Sequence, residues 1–504
     1  MSIQSMTQQH DDDFSGKVPS CLKMGGGTIA KSVPSKRSLQ KFAAENQSTF
    51  TETNNIIRFN INSGSLLDLP NATFGFDLSN AGSATNDFQL DGSAACLIDT
   101  FRVYAQDGTE LERIQEYGLL DSILGQYTGD LNEDSIMTGA PERRSAFPEF
   151  DALYSGAGAT GTAAADSTVD TKSAGLKIQS VLSGAAGAAS ILTVSSRGGC
   201  GYDQLQSDKL NGGIKKHYEL PLRCSGWFNP AMNKLLPPNC SFTVEIQLNT
   251  AVKSLLKLGA GTDAMKYNMS ATYLNIPSVT INDPVCLSHL QDKMAQGISW
   301  TAYSYSHHVN TTTGSGEDTV QINARVYDLN GLISCVRRQA NLSVSTKMSL
   351  SKRSIQGIQQ YQYTIGSQQY PPQPVKITLD GTNQTTAGTQ TPLPSVSSNI
   401  SQCFSELKRV LQHVKRVGGG VNISTQNFAQ SELNQGTGVL SVDVAAYNDH
   451  STMSGLDSKS TSMPVTLDIS KEALLTDVTC QIDTFALHGV EFTRISDGRI
   501  ISSY

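Results

Sequence analysis

The chain has 504 residues, more than one core of roughly 100 to 200 residues can use, so at least two domains are expected. Charged residues make up 16% and the formal net charge is −7, which excludes a protein whose whole surface grips nucleic acid, because phosphate binding needs clustered Lys and Arg. Nine cysteines lie scattered without a C-x-x-C pair, so free, mostly buried thiols are expected rather than a zinc site or a disulfide framework.

The N-terminus, MSIQSMTQQHDDDF, is acidic where a secretory signal is basic, and no run of 18 uncharged apolar residues follows anywhere. The expectation is a chain that is soluble and intracellular when made. Residues 1–48 lack an apolar period and contain Gly25-Gly26-Gly27, which reads as a flexible N-terminal arm. Within it Lys17, Lys23, Lys31, Lys36, Arg37 and Lys41 occur with no acidic residue between Phe14 and Lys41. Either this is a solvated linker, or its cations make a weak contact with nucleic acid or a membrane.

From Asn55 onward Ile57, Phe59 and Ile61, then Leu67, Leu69, Phe74, Phe76 and Leu78, alternate with polar residues as half-buried strands do. Ala95 to Tyr104 is a further strand, closed by the turn signal Asp107-Gly108. Leu111, Ile114, Tyr117, Leu120, Leu124 and Tyr127 recur at helical spacing, which predicts one amphipathic helix over Glu110 to Tyr127. Residues 155–201 are rich in Gly, Ala, Ser and Thr and too poor in large apolar residues for a core, so they are expected to be a surface insertion. Strands resume at His217 to Arg223 and Ser241 to Leu248.

The pattern loosens around Lys257 to Tyr267, and the domain boundary is placed there, giving a first β-sandwich over 49–265 and a second over 266–504. The second repeats the grammar: Ala271 to Ile281 leads in, followed by strands near Ile298 to Val309, Thr319 to Tyr327 and Leu332 to Arg337. A helix over Cys403 to Val417 is stopped by Gly418-Gly419-Gly420, and the last strands fall at Gly438 to Tyr447 and Val478 to Phe492. The fold class is therefore all-β, with few helices.

Local frames for chemistry are absent. Gly156-Ala157-Gly158-Ala159-Thr160-Gly161 fits G-x-G-x-x-G but lacks the strand before and the helix after that a pyrophosphate site needs. His307 and His308 are adjacent, so on a strand they point to opposite faces and do not chelate together. No G-x-S-x-G elbow occurs. N-x-S/T triplets such as Asn71-Ala72-Thr73 are chance matches in an Asn/Ser/Thr-rich chain. Trp227, Trp300, Tyr303 and Tyr305 suit core and interface packing better than a stacking platform for sugar or bases. The expectation is a non-enzymatic structural protein without cofactor or metal. The alternative is a carbohydrate-binding or adhesive β-sandwich surface protein, which would carry repeats or an aromatic groove.

At Tyr361 to Pro374 the sequence YQYTIGSQQYPPQP resembles a segment of the double jelly-roll major capsid proteins of polinton-like viruses and virophages. Leu66-Leu67-Asp68-Leu69, FRVYAQDGTELERIQEYGLL, LPLRCSGWFNPAMNKLLPPNCSFTVEIQL, ARVYDLNGLISCVR and VEFTRISDGRI agree with it in patches. The resemblance implies two consecutive eight-stranded antiparallel jelly rolls and a homotrimer that forms a pseudo-hexagonal capsomer. It further implies neighbouring capsomers, penton and minor capsid proteins as partners, in an icosahedral virion assembled inside the host cell around double-stranded DNA. The basic arm would then lie on the inner face, near genome or inner membrane.

Overall fold

The computed structural model describes residues 34–82, 88–128, 215–228, 235–257, 265–312, 316–339, 358–377, 400–414, 438–446, 454–460, 462–471, 479–496 and 498–503, the strands at 176–179 and 191–194, and a few single positions between. The first half runs β1 (Ser35–Ala43), β2 (Ile56–Ile61), β3 (Thr73–Asn80), β4 (Ile98–Ala105), β5 (Glu110–Gln115), α1 (Tyr117–Thr128), β6 (Lys215–Pro221), β7 (Phe242–Leu248) and β8 (Tyr267–Ile281). The linking helix α2 (Pro284–Gln296) follows. The second half runs β9 (Ile298–Thr312), β10 (Gly316–Ile322), β11 (Leu329–Arg338), β12 (Ile358–Ile365), β13 (Gln368–Lys376), α3 (Ser401–Gln412), β14 (Leu440–Asp443), β15 (Val465–Lys471) and β16 (Cys480–Arg494).

Four antiparallel sheets result. Their orders are β1-β8-β3-β6 and β2-β7-β4-β5 in the first half, then β9-β16-β11-β14 and β10-β15-β12-β13 in the second. Adding eight to every label of the first pair gives the second, so both halves trace one path. Short strands at Thr49–Phe50 and Leu66–Leu67 extend β8, and Ile500–Ser503 extends β16.

The alternating pattern explains the sandwiches. In β2 every second residue is buried, and Phe59 meets Phe74 of the opposite sheet edge to face at 5.8 Å. Each such ring contributes about 2 to 3 kcal/mol through the apolar area it removes from water. In the second half the Tyr363 hydroxyl of β12 crosses the core to Ser334 Oγ of β11 at 2.9 Å. The prolines of β13 sit where they are tolerated, because β13 pairs with β12 alone at a sheet edge.

Three sequence expectations are corrected. The arm expected over residues 1–48 does not cover that span: Ser35 to Ala43 pair residue for residue with Ile281 to Tyr273 and form the first strand, and residues 1–33 lie outside the described residues. The helix expected over Glu110 to Tyr127 begins only at Tyr117. Glu116 adopts φ 50 and ends β5, where the pairing with β4 slips by one residue between Glu112 and Glu110, so that Leu111 and Ile114, three apart, are both buried. The boundary at 265/266 precedes β8, which is hydrogen-bonded into the first sheet, so the change of sandwich falls between Ile281 and Ile298.

That interval holds α2, which the sequence reading left out. Asp283 caps it, accepting from the amides of Val285 at 2.8 Å and Cys286 at 3.3 Å, Pro284 opens it, and Gly297 with φ 91 ends it. The second predicted helix is observed as α3 over Ser401–Gln412, with Val417 and the three glycines outside the described residues. Of the 155–201 insertion, Leu176–Gln179 and Ile191–Val194 form a paired hairpin; its remainder, including Gly156 to Gly161, lies outside the described residues.

Candidate interaction surfaces

The most elaborate polar chemistry lies where the two sandwiches meet. Glu112, on β5, is fully buried and accepts hydrogen bonds from Ser225 Oγ, from the Gly226 amide at 2.7 Å, from the Trp227 amide at 3.4 Å, and across the seam from Ser304 Oγ of β9 at 2.6 Å. Burial pushes its carboxyl up, opposed by those donors. Gly226 has no room for a side chain, since a Cβ would stand 2.5 Å from the Tyr303 carbonyl oxygen. The Trp227 ring inserts beside it, 4.8 Å from Phe492 and 5.5 Å from Trp300 of the second sandwich and 5.3 Å from Phe242 of the first.

A second cluster joins β11, β16 and β9 to the end of β5. Arg337 bonds Asp483 at 2.7 and 2.9 Å and lies 3.9 Å from Glu116, while His307 Nε2 stands 3.1 Å from Asp483. Burial alone would raise the Asp483 pKa; the Arg337 and His307 contacts outweigh it and hold it at about 2. Asp91 Oδ2 accepts from the amides of Ser349 at 2.7 Å and Leu350 at 2.8 Å, and Arg353 reaches Gln126 of α1. Tyr127 of α1 meets Phe404 of α3 at 6.4 Å. The halves are thus joined along a buried seam.

The sequence singled out none of Glu112, Asp91, Arg337 or Asp483. A readable hint was their place: charged residues inside apolar strand patterns, as in Leu111-Glu112-Arg113-Ile114 and Ile482-Asp483-Thr484-Phe485. Trp227, Trp300 and Tyr305 are buried, which bears out packing as their use.

The basic residues divide. Lys36, Arg37 and Lys41 lie on β1 and are exposed. Arg37 reaches Asp68 at 3.4 Å, and Lys41 Nζ sits 3.4 Å over the Tyr273 ring. Tyr273 in turn bonds Glu219 at 2.5 Å and His217 at 2.9 Å, and His217 contacts Asp77 at 2.7 Å. Two of the three cations are therefore engaged within the sheet. Lys17, Lys23 and Lys31 lie outside the described residues.

The seven described cysteines are free and buried, as expected, and burial pushes Cys240 up to about 11 and Cys335 and Cys403 up to about 12. His307 and His308 turn to different partners, Asp483 and Ser306. Among the described residues no group of three or more His, Cys, Asp or Glu side chains could hold a metal ion.

No family model and no curated protein matches the chain. Solved structures do. The chain is similar to the Faustovirus major capsid protein, with 10% identity, 93% of this chain and 92% of that one covered, and a TM-score of 0.51. It is similar to PBCV-1 VP54 as fitted into a reconstruction of the virophage Sputnik, with 8% identity, 95% and 98% covered, and a TM-score of 0.50. A chain of the Sputnik virophage structure aligns with 12% identity, 95% and 90% covered, and a TM-score of 0.50. The fold is a double jelly roll.

Within the double jelly roll the halves match in detail. Leu67 bridges Leu236 in roll 1 and Leu329 bridges Leu456 in roll 2, each tying the region where the third strand begins to the segment before the seventh. A buried aspartate adjoins each bridge, Asp68 after Leu67 and Asp328 before Leu329, and each accepts an asparagine amide at 2.8 Å, from Asn71 and Asn330. The seventh strands read Thr243-Val244-Glu245-Ile246 and Thr466-Leu467-Asp468-Ile469. Glu245 bridges Arg58 and Arg102, both at 2.8 Å, and Asp468 binds Thr319 at 2.7 Å and Thr364 at 3.1 Å.

Proposed function

We propose that this chain is the major capsid subunit of an icosahedral virus with a double-stranded DNA genome, a structural protein rather than a catalyst. The observation that carries this reading is the pair of rolls of one topology fused along a buried seam, in a chain that aligns over nearly its whole length with entire capsid subunits. Antiparallel sandwiches make rigid walls, and few surface charges lower the desolvation cost of broad contacts.

In this reading roll 1 runs to Ile281 and roll 2 starts at Ile298, with α2 as the joint. Three chains form a pseudo-hexagonal capsomer, and capsomers meet one another and separate penton and minor capsid proteins in the virion. Individually modest contacts become strong collectively through multivalency. Lys17, Lys23 and Lys31, which precede the first strand, are the cations left to touch genome or an inner membrane.

Light scattering on the purified chain with negative-stain imaging tests this. A mass near three times 54.0 kDa with pseudo-hexagonal particles, or spontaneous shells, is expected. A stable monomer at all concentrations overturns it.

A further inference from the structure

The outer face of the sheet β2-β7-β4-β5 carries a row of charge that the fold does not need. Cross-strand pairing sets Arg58 opposite Glu245, Glu245 opposite Arg102, and Arg102 opposite Arg113, one residue from each of the four strands. Three guanidinium groups therefore share one carboxylate. Both oxygens of Glu245 are taken, Oε2 by Arg58 and Oε1 by Arg102, each at 2.8 Å. Arg113 is exposed and makes no ion pair among the described residues, and the Nε of Arg102 is buried without an acceptor.

Directly opposed residues on one face of an antiparallel pair have Cβ atoms about 5 Å apart, and like charges placed so repel. Glu110, the next acid on this face, stands opposite Tyr104 and pairs with neither arginine. The repulsion between Arg102 and Arg113 is thus left uncompensated within the chain.

Roll 2 shows that the same position can be built without cations. Asp468 takes the place of Glu245 in the matched seventh strand and lies between Thr319 and Gln362 across the ladder. It accepts the hydroxyls of Thr319 at 2.7 Å and Thr364 at 3.1 Å. The arginines of roll 1 are therefore an addition to a common scaffold, kept in spite of the repulsion they bring.

We infer that Arg102 and Arg113 form a clamp for a phosphate monoester group. Two adjacent guanidinium forks present directed N–H donors that suit a group with three terminal oxygens. The row holds three arginines against one glutamate, and the surplus matches the charge of roughly −1.5 to −2 that such a group carries at neutral pH. A carboxylate or a phosphodiester brings a single negative charge and leaves half of the surplus in place. Because Arg113 is exposed, the ester can belong to a phosphorylated side chain or to a nucleotide. The inference is independent of the assembly reading above.

Phosphorus NMR of the full chain tests the clamp, with inorganic phosphate, O-phosphoserine and adenosine monophosphate as probes at constant ionic strength set by chloride. Saturable line broadening is expected with inorganic phosphate, weakened roughly tenfold in Arg113→Gln. Phosphate should raise the melting temperature of the wild type and leave that of Arg113→Gln unmoved. Without phosphate the variant should melt at or above the wild-type temperature, since it loses a repulsion; a lower value would make Arg113 a structural support and overturn the clamp. Tighter binding of O-phosphoserine would point to a protein-borne phosphate, and tighter binding of adenosine monophosphate to a nucleotide. No broadening with any of the three probes, or broadening unchanged in Arg113→Gln, also overturns it.

Discussion

The Glu112 carboxylate accepts the Ser304 hydroxyl at 2.6 Å and so ties β5 of one roll to β9 of the other in a place closed to water. Removing the acceptor strands the Gly226 amide and two hydroxyls, and each buried group left without a partner costs about 1 to 3 kcal/mol. Glu112→Ala is therefore expected to lose about 3 kcal/mol or more. Urea unfolding followed by tryptophan emission reads this well, because the only two tryptophans of the chain, Trp227 and Trp300, both sit at the seam.

Trp227→Ala should cost about 3 to 5 kcal/mol by opening a cavity among Trp300, Phe492 and Phe242. Trp227→Phe should cost markedly less. Denaturation followed by circular dichroism separates the two, and equal losses would show that ring volume is not what the seam needs.

Acid should weaken roll 2. Burial holds His488 at about 4, and burial together with His307 holds His308 at about 4, both below the ordinary 6.5. A histidine kept neutral in the fold gives stability that is complete above its unfolded pKa and is lost as pH falls from about 6.5 towards 4, up to about 3 kcal/mol for the buried His488. Asp483, held at about 2, lends stability that is complete above the ordinary 3.8 and fails only below it, so it is silent in that window. Melting temperatures from about pH 7 to about pH 4.5 should fall, and His488→Gln should flatten the fall; an unchanged slope would assign the effect elsewhere.

Truncations should distinguish arm from strand. Removal of residues 1–33 leaves β1 whole, and the melting temperature should hold while any loss appears in shell closure or genome retention. Removal of residues 1–41 takes most of β1 from the edge of β8 and should lower the melting temperature as well.

The strands that the sequence reveals are those with one face in the core. Ile57, Phe59 and Ile61 in β2, and Phe242, Val244, Ile246 and Leu248 in β7, keep a period of two because one side is dry. β1 escapes detection for the opposite reason: as an exposed edge it has almost no buried face, and its cations read as a tail. In Glu110 to Gln115, Leu111 and Ile114 stand at helical spacing, which β5 accommodates through its register slip at Leu111, and the positive φ of Glu116 that separates strand from helix leaves no mark on composition. α2 did leave one, in Asp283-Pro284 and Gly297, but its exposed face muted the apolar pattern. The seam was least legible, because Glu112 and Asp483 acquire their meaning from residues more than a hundred positions away.

Both rolls place their helix and their longest departure from the strand path at one point of the circuit, between the fifth and sixth strands: Gln115 to Lys215 in roll 1 and Lys376 to Leu440 in roll 2. Each connection joins the same two strands of its roll, so added length there changes no pairing of the hydrogen-bonded ladders. A foreign peptide spliced into either connection is expected to leave both ladders paired, making these two joints the natural ports for engineering the chain.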